Sequence, residues 1–143
     1  EITDVPGTYS LYPKSIDERV AQLVICNKKD KDYPEVTVVV ADATNLRRSI
    51  FLITQIIDLK MRVVLALNMV DLSLQQGVII DVSRLSHELN IPVVAINARK
   101  TVSTSLSNVN FKVSLNRQSP VPHSKIALIS CVSPCAIGGT TIL

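Results

Sequence analysis

The chain has 143 residues, enough for one domain, and its 47% hydrophobic and 19% charged residues exclude a disordered polyelectrolyte. Aromatic residues make up 3% and Trp is absent, so stacking platforms for single-stranded nucleic acid and aromatic ligand cages have little to build on. The formal charge of +3 is localised: residues 1–100 carry 12 basic and 12 acidic side chains, whereas residues 101–143 hold Lys112, Arg117 and Lys125 against no acid. The basic excess therefore marks no nucleic-acid-binding face, and no nucleic-acid partner is expected.

Glu1-Ile2-Thr3 reads as the end of a strand with Asp4 after it, and no signal-peptide pattern opens the chain. Ser15 to Cys26 has helical spacing, with Ser15 and Glu18 placed as a capping box. Val36 to Ala41, bounded by Pro34 and Asp42, is a β-branched run with the profile of a buried parallel strand. Leu46 to Leu59 puts Ile50, Ile53, Ile56 and Ile57 on one face, and Asn45 is positioned as its N-cap. A second buried strand, Arg62 to Leu67, ends at Asn68. Asp81 caps a shorter helix through Leu85 and Leu89, and a third strand, Ile91 to Ile96, ends at Asn97. Strands alternating with helices across short loops predict right-handed crossovers and a doubly wound parallel sheet. Such sheets bind ligands at the carboxyl ends of their strands, where Asp4, Asp42, Asn68 with Asp71, and Asn97 recur.

Residues 101–143 differ in character: Ser, Thr and Asn fill 15 of 43 positions, and amphipathic periodicity is hard to find. Ile126 to Leu143 is an uncharged stretch of 18 residues, but Pro134, Gly138, Gly139 and several hydroxyls argue against a membrane span. The expected division is thus 1–100 as a nucleotide-binding unit and 101–143 as an atypical, poorly ordered tail. Cys26, Cys131 and Cys135 are too few for a disulfide framework, and a single Cys-x-x-x-Cys pair is weak as a metal motif; a reducing setting is expected.

Three elements carry chemistry. In Asp4-Val5-Pro6-Gly7, a carboxylate at a strand tip can hold Mg²⁺ through water, and the glycine lets a backbone N–H approach a terminal phosphate. Alone, this sequence is equally an ordinary turn. In Asn68-Met69-Val70-Asp71, the Asp71 carboxylate can accept from both the ring N–H and the exocyclic amine of guanine, a donor pair that adenine lacks. Asn68 would pin that loop, and Met69 stands where many GTPases carry a lysine over the base. The plain alternative is a strand end followed by a helix-starting Asp. Asn97-Ala98-Arg99-Lys100, again after a strand, resembles the Ser-Ala-x-x loop whose alanine N–H meets the guanine oxygen.

The runs Asp4-Val5-Pro6-Gly7-Thr8-Tyr9-Ser10-Leu11, Ser15-Ile16-Asp17-Glu18-Arg19-Val20, Val39 to Ser49 with its Asp42-Ala43-Thr44-Asn45-Leu46, and Val64 to Asp71 resemble the G domain of the ferrous iron transport protein B family. The resemblance covers about residues 1–100. It implies a P-loop NTPase-like, small-G-protein sheet that is incomplete at its amino-terminal edge. It also implies GTP/GDP and Mg²⁺ as cofactors, with Asp4 reaching the metal through water. The implied nucleotide contacts are Asp4, Gly7, Thr8, Asn68, Met69, Asp71, Asn97, Ala98 and Arg99, with no catalytic residue assigned. The partner implied is the membrane domain of an iron transporter, with Fe²⁺ as cargo and the G domain at the cytoplasmic face. A GTPase serving RNA or ribosome maturation, and a non-catalytic G-domain-like module, are the competing readings. No Gly-x-x-x-x-Gly-Lys-Ser/Thr occurs in the sequence. By resemblance that loop belongs before Glu1, so weak or no GTP binding and no measurable hydrolysis are expected of this chain alone. Thr8 stands where Ras-like enzymes carry a water-orienting glutamine, which implies slow turnover even for the complete domain. His87, His123, Asp17, Glu18, Arg47 and Arg48 are read as surface residues.

Overall fold

The computed structural model describes residues 1–31, 33–97 and 125–131. They form a sheet of five strands, every pair of neighbours parallel: β1 (Ile2–Val5), β2 (Val36–Asp42), β3 (Arg62–Asn68), β4 (Val93–Ala95) and β5 (Ile126–Ser130). The spatial order is β1-β5-β2-β3-β4. Helices α1 (Ile16–Cys26), α2 (Leu46–Asp58), α3 (Val70–Gln75) and α4 (Val82–Leu89) lie between the strands in sequence.

The elements arise from local chemistry. In β2, Thr37, Val39 and Ala41 are buried and their neighbours half-buried, the period of two that a pleated strand imposes. β3 is buried from Val63 to Asn68, as a strand covered on both faces must be. Ser15 Oγ accepts from the Glu18 N–H at 3.2 Å, and Glu18 Oε2 in turn accepts from the Lys14 N–H at 2.6 Å, so the α1 start is closed reciprocally. Asp81 Oδ1 caps α4 through the Arg84 N–H at 2.9 Å, and Asn90 ends that helix in the left-handed region that asparagine tolerates. The core gathers Ile25, Val39, Leu52, Ile53, Ile56, Leu65, Leu67 and Ile129, each fully buried.

Four expectations need adjustment. β1 runs on to Val5, so Asp4 lies inside it, because its pairing with β5 extends to Val5 opposite Ile129. Asn45 makes no side-chain cap to α2. Asp42 does the capping instead: its Oδ1 accepts from the Thr44 N–H at 2.8 Å and the Thr44 hydroxyl at 2.7 Å, winding Ala43–Asn45 into a 3₁₀ turn ahead of the helix. β4 starts only at Val93, since Pro92 has no N–H to give, although its carbonyl still accepts from Leu65 at 2.9 Å. Finally, the division at residue 100 does not match the sheet, because β5 comes from the segment expected to be a tail and pairs on both sides. Cys131, at its end, is buried, and burial pushes its thiol up to about 11, while Cys26 is exposed. Among the described residues no helix is long and apolar enough to cross a membrane.

Candidate functional site

Because every strand points the same way, their carboxyl ends share one edge of the sheet: Val5, Ser130, Asp42, Asn68 and Ala95. Asp42 stands opposite Asn68 in register, and Ser130 opposite Val40. Three interstrand steps of about 4.8 Å place the end of β1 roughly 14 Å from the end of β3.

The loop after β3 is held tightly. Met69 adopts φ 61, ψ 31, a left-handed conformation costly for a side chain with Cβ, and this turns the strand directly into α3. Asn68, itself buried, accepts the Met69 N–H on Oδ1 at 2.9 Å and so supports the turn. Ser73, fully buried in α3, donates to the Val78 carbonyl at 2.6 Å and fixes the far end of that short helix. Asp71 thereby sits in the first turn of α3 with its carboxylate exposed. Asn97, 26 residues further on and just past β4, donates from Nδ2 to Asp71 Oδ2 at 3.0 Å. The parallel β3–β4 ladder makes this possible, its last bond running from the Ile96 N–H to the Leu67 carbonyl at 2.8 Å. Replacing Asn97 with Ala should leave the fold intact and weaken binding of a guanine base roughly fivefold. That is the effect of losing one hydrogen bond of about 1 kcal/mol that orients a carboxylate, and titration calorimetry with guanosine reads it.

The β1 end is arranged differently. Asp4 and Gly7 are exposed, while Thr8 is buried at 2%. The Thr8 hydroxyl donates to the Ser10 carbonyl at 2.8 Å and accepts the Ser10 N–H at 3.2 Å, closing a local turn. The next segment is moored to α2 by two contacts that have no counterpart among the sequence-based expectations. Gln55 Oε1 accepts the Leu11 N–H at 2.9 Å, and the Arg48 guanidinium lies over the Tyr9 ring, 4.9 Å from its centroid. A lone amide on a helix face otherwise rich in Ile and Leu is the one signal that could point to Gln55.

Asp4, Gly7, Asn68, Asp71 and Asn97 therefore occupy one edge, with Asn97 and Asp71 in direct contact. Met69 is buried, and Ala98 and Arg99 lie outside the described residues. His87 is exposed on α4, and among the described residues no three His, Cys, Asp or Glu side chains gather as a metal cluster. A cavity of about 250 Å³ lined by Glu1, Thr3, Leu23, Val24 and Asp30 shares no residue with this edge.

A family model described as ferrous iron transport protein B matches residues 1–109. The Fe(2+) transporter FeoB of Campylobacter jejuni is 40% identical over 99 residues, which is 69% of this chain and 16% of that protein. The FeoB of Legionella pneumophila strain Lens is 39% identical over 107 residues, 71% of this chain and 14% of its own length. The chain thus spans about one-sixth or less of these curated relatives. Among solved structures, the FeoB G-domain from Methanococcus jannaschii superposes with a TM-score of 0.62 at 40% identity, covering 68% of this chain and 60% of that one. NFeoB from S. thermophilus bound to mGMPPNP gives 0.63 at 40% identity, covering 69% and 37%. These neighbours share the mostly parallel α/β sheet described above.

Proposed function

This chain belongs to the ferrous iron transport protein B family, and on that premise we propose that it is the base-reading part of the guanine-nucleotide domain of an iron transporter. The observation that carries this reading is the Asn97–Asp71 hydrogen bond. It locks a carboxylate in the first turn of α3 while leaving it exposed, so its remaining acceptor capacity can serve the ring N–H and exocyclic amine of guanine. Adenine presents neither donor in that arrangement, and binding it would leave the carboxylate partly unpaired, the asymmetry by which polar sites discriminate. Solved relatives bound to GMPPNP and GDP support the same ligand class.

Asp4 is the residue that would hold Mg²⁺, through water. When bound, that ion would offset phosphate charge. The segment from Gly7 to Leu11, moored to α2 by Gln55 and Arg48, is the part whose position nucleotide would bias. In the whole protein that bias would pass to a membrane domain at whose cytoplasmic face this domain sits, changing Fe²⁺ uptake. The Thr8 hydroxyl is engaged in its own turn, which fits slow turnover by the complete domain.

Guanosine and adenosine, titrated calorimetrically against the chain, should differ at least thirtyfold in favour of guanosine. Equal affinities would remove the base-reading role.

A further inference from the structure

Of Asp4, Asp42, Asn68, Asp71 and Asn97, only Asp42 has no part in the guanine reading. It closes β2, is half-buried, and stands opposite Asn68 in the parallel register. Its Oδ1 accepts twice from Thr44, from the N–H at 2.8 Å and from the hydroxyl at 2.7 Å. These two bonds wind Ala43–Asn45 into its 3₁₀ turn. A single 3₁₀ turn has few internal bonds of its own, so the carboxylate supplies what the backbone does not.

That turn has two neighbours. It runs directly into α2 at Leu46, and α3 packs against it. Ala43 in the turn and Ser73 in α3 are both buried. A helix of six residues does not hold itself, so the place of α3 is set by what it rests on. Asn68 supports its start through the Met69 N–H, Ser73 fixes its far end through the Val78 carbonyl, and the 3₁₀ turn packs against it. Asp71, in the first turn of α3, must meet Asn97 Nδ2 at 3.0 Å and still present its carboxylate outward. A shift of α3 by about an ångström would carry that bond beyond hydrogen-bonding range.

We propose that Asp42 is a positioning residue for base recognition: by holding the Ala43–Asn45 turn against α3, it fixes where the Asp71 carboxylate stands. It acts through the turn and not by contact with the base. This rests on the guanine reading above. The Asp42-Ala43-Thr44-Asn45 run thereby acquires a use distinct from metal or phosphate binding.

The test is calorimetric titration of the full 143-residue chain and its variants with guanosine and with adenosine. Asp42→Ala should weaken guanosine binding roughly tenfold, the order expected for loss of a capping side chain, and leave adenosine unchanged. In Asp42→Asn the amide oxygen still accepts from Thr44, and guanosine affinity should return to within about twofold of the unaltered chain. Asp81→Ala removes a cap of the same kind from α4. It should lower thermal stability comparably yet keep guanosine affinity within about twofold. In the free Asp42→Ala chain, the Asp71 amide and the Asn97 side-chain amide should move in ¹H–¹⁵N spectra. Unchanged guanosine binding in Asp42→Ala, equal losses in Asp42→Ala and Asp81→Ala, or no recovery in Asp42→Asn would each overturn the proposal. Should Asp42→Ala not fold, Thr44→Val, which keeps the N–H bond and loses only the hydroxyl bond, decides. A roughly threefold loss of guanosine affinity supports positioning, and unchanged affinity overturns it. If the unaltered chain binds no guanosine, the guanine reading fails and the proposal with it; guanosine binding indifferent to Asp42 removes the proposal alone.

Discussion

Changing Asp71 to Asn is expected to weaken guanosine binding roughly 100-fold while leaving thermal stability unchanged. The carboxylate is exposed at the start of α3, so its replacement opens no cavity and strands no buried group. Its energetic role lies toward the ligand. A hydrogen bond to a charged acceptor contributes about 1.5–3 kcal/mol, and the amide replaces one acceptor with a donor that faces a donor of guanine. Loss and repulsion together come to about 3 kcal/mol, the free energy behind a factor of roughly 100. The same substitution should raise affinity for xanthosine, whose ring carries a carbonyl where guanine carries the amine. A uniform loss for every purine would show that Asp71 merely shapes the loop.

Ile129→Ala is expected to cost about 2–5 kcal/mol in urea unfolding, the range for truncating a fully buried aliphatic side chain. Ile129 has no exposed surface and sits in β5 opposite Val5 on one side and Val39 on the other. Against a typical domain stability of about 5–15 kcal/mol, that loss is severe. It separates two views of residues 101–143. If Ile126–Ser130 were an appendage beside a self-sufficient unit, the change would be under about 0.5 kcal/mol, as for exposed Leu74→Ala.

Legibility in the sequence depends on whether the signal is local. β2 and β3 announce themselves as β-branched runs ending at Asp42 and Asn68, and α1 and α4 by the capping residues Ser15 and Asp81. The expected roles of Asn68 and Asp71 come from a spacing of three residues after a strand. By contrast, β5 is five residues within a long uncharged stretch, and nothing local distinguishes a central strand from a tail there. Its place is decided by the position that β1 and β2 leave between them. α3, six residues long, is too short to show helical periodicity. The substitute cap at Asp42 is hidden because Asn45 is the better-placed candidate in sequence, whereas the 3₁₀ turn moves the first orphan N–H to Thr44. In sequence Asn97 is a strand-end candidate for a nucleotide contact, yet its side chain acts on Asp71 across 26 residues, a contact that only strand pairing creates.

The most direct test of guanine recognition at this edge is a ¹H–¹⁵N titration of the full chain with guanosine. Saturable shifts centred on the Asn68, Met69, Val70 and Asp71 amides and on the Asn97 side-chain amide, absent with adenosine, are the predicted result. Shifts centred on Thr3, Leu23 and Val24 around the separate cavity, or identical shifts with both nucleosides, would contradict it.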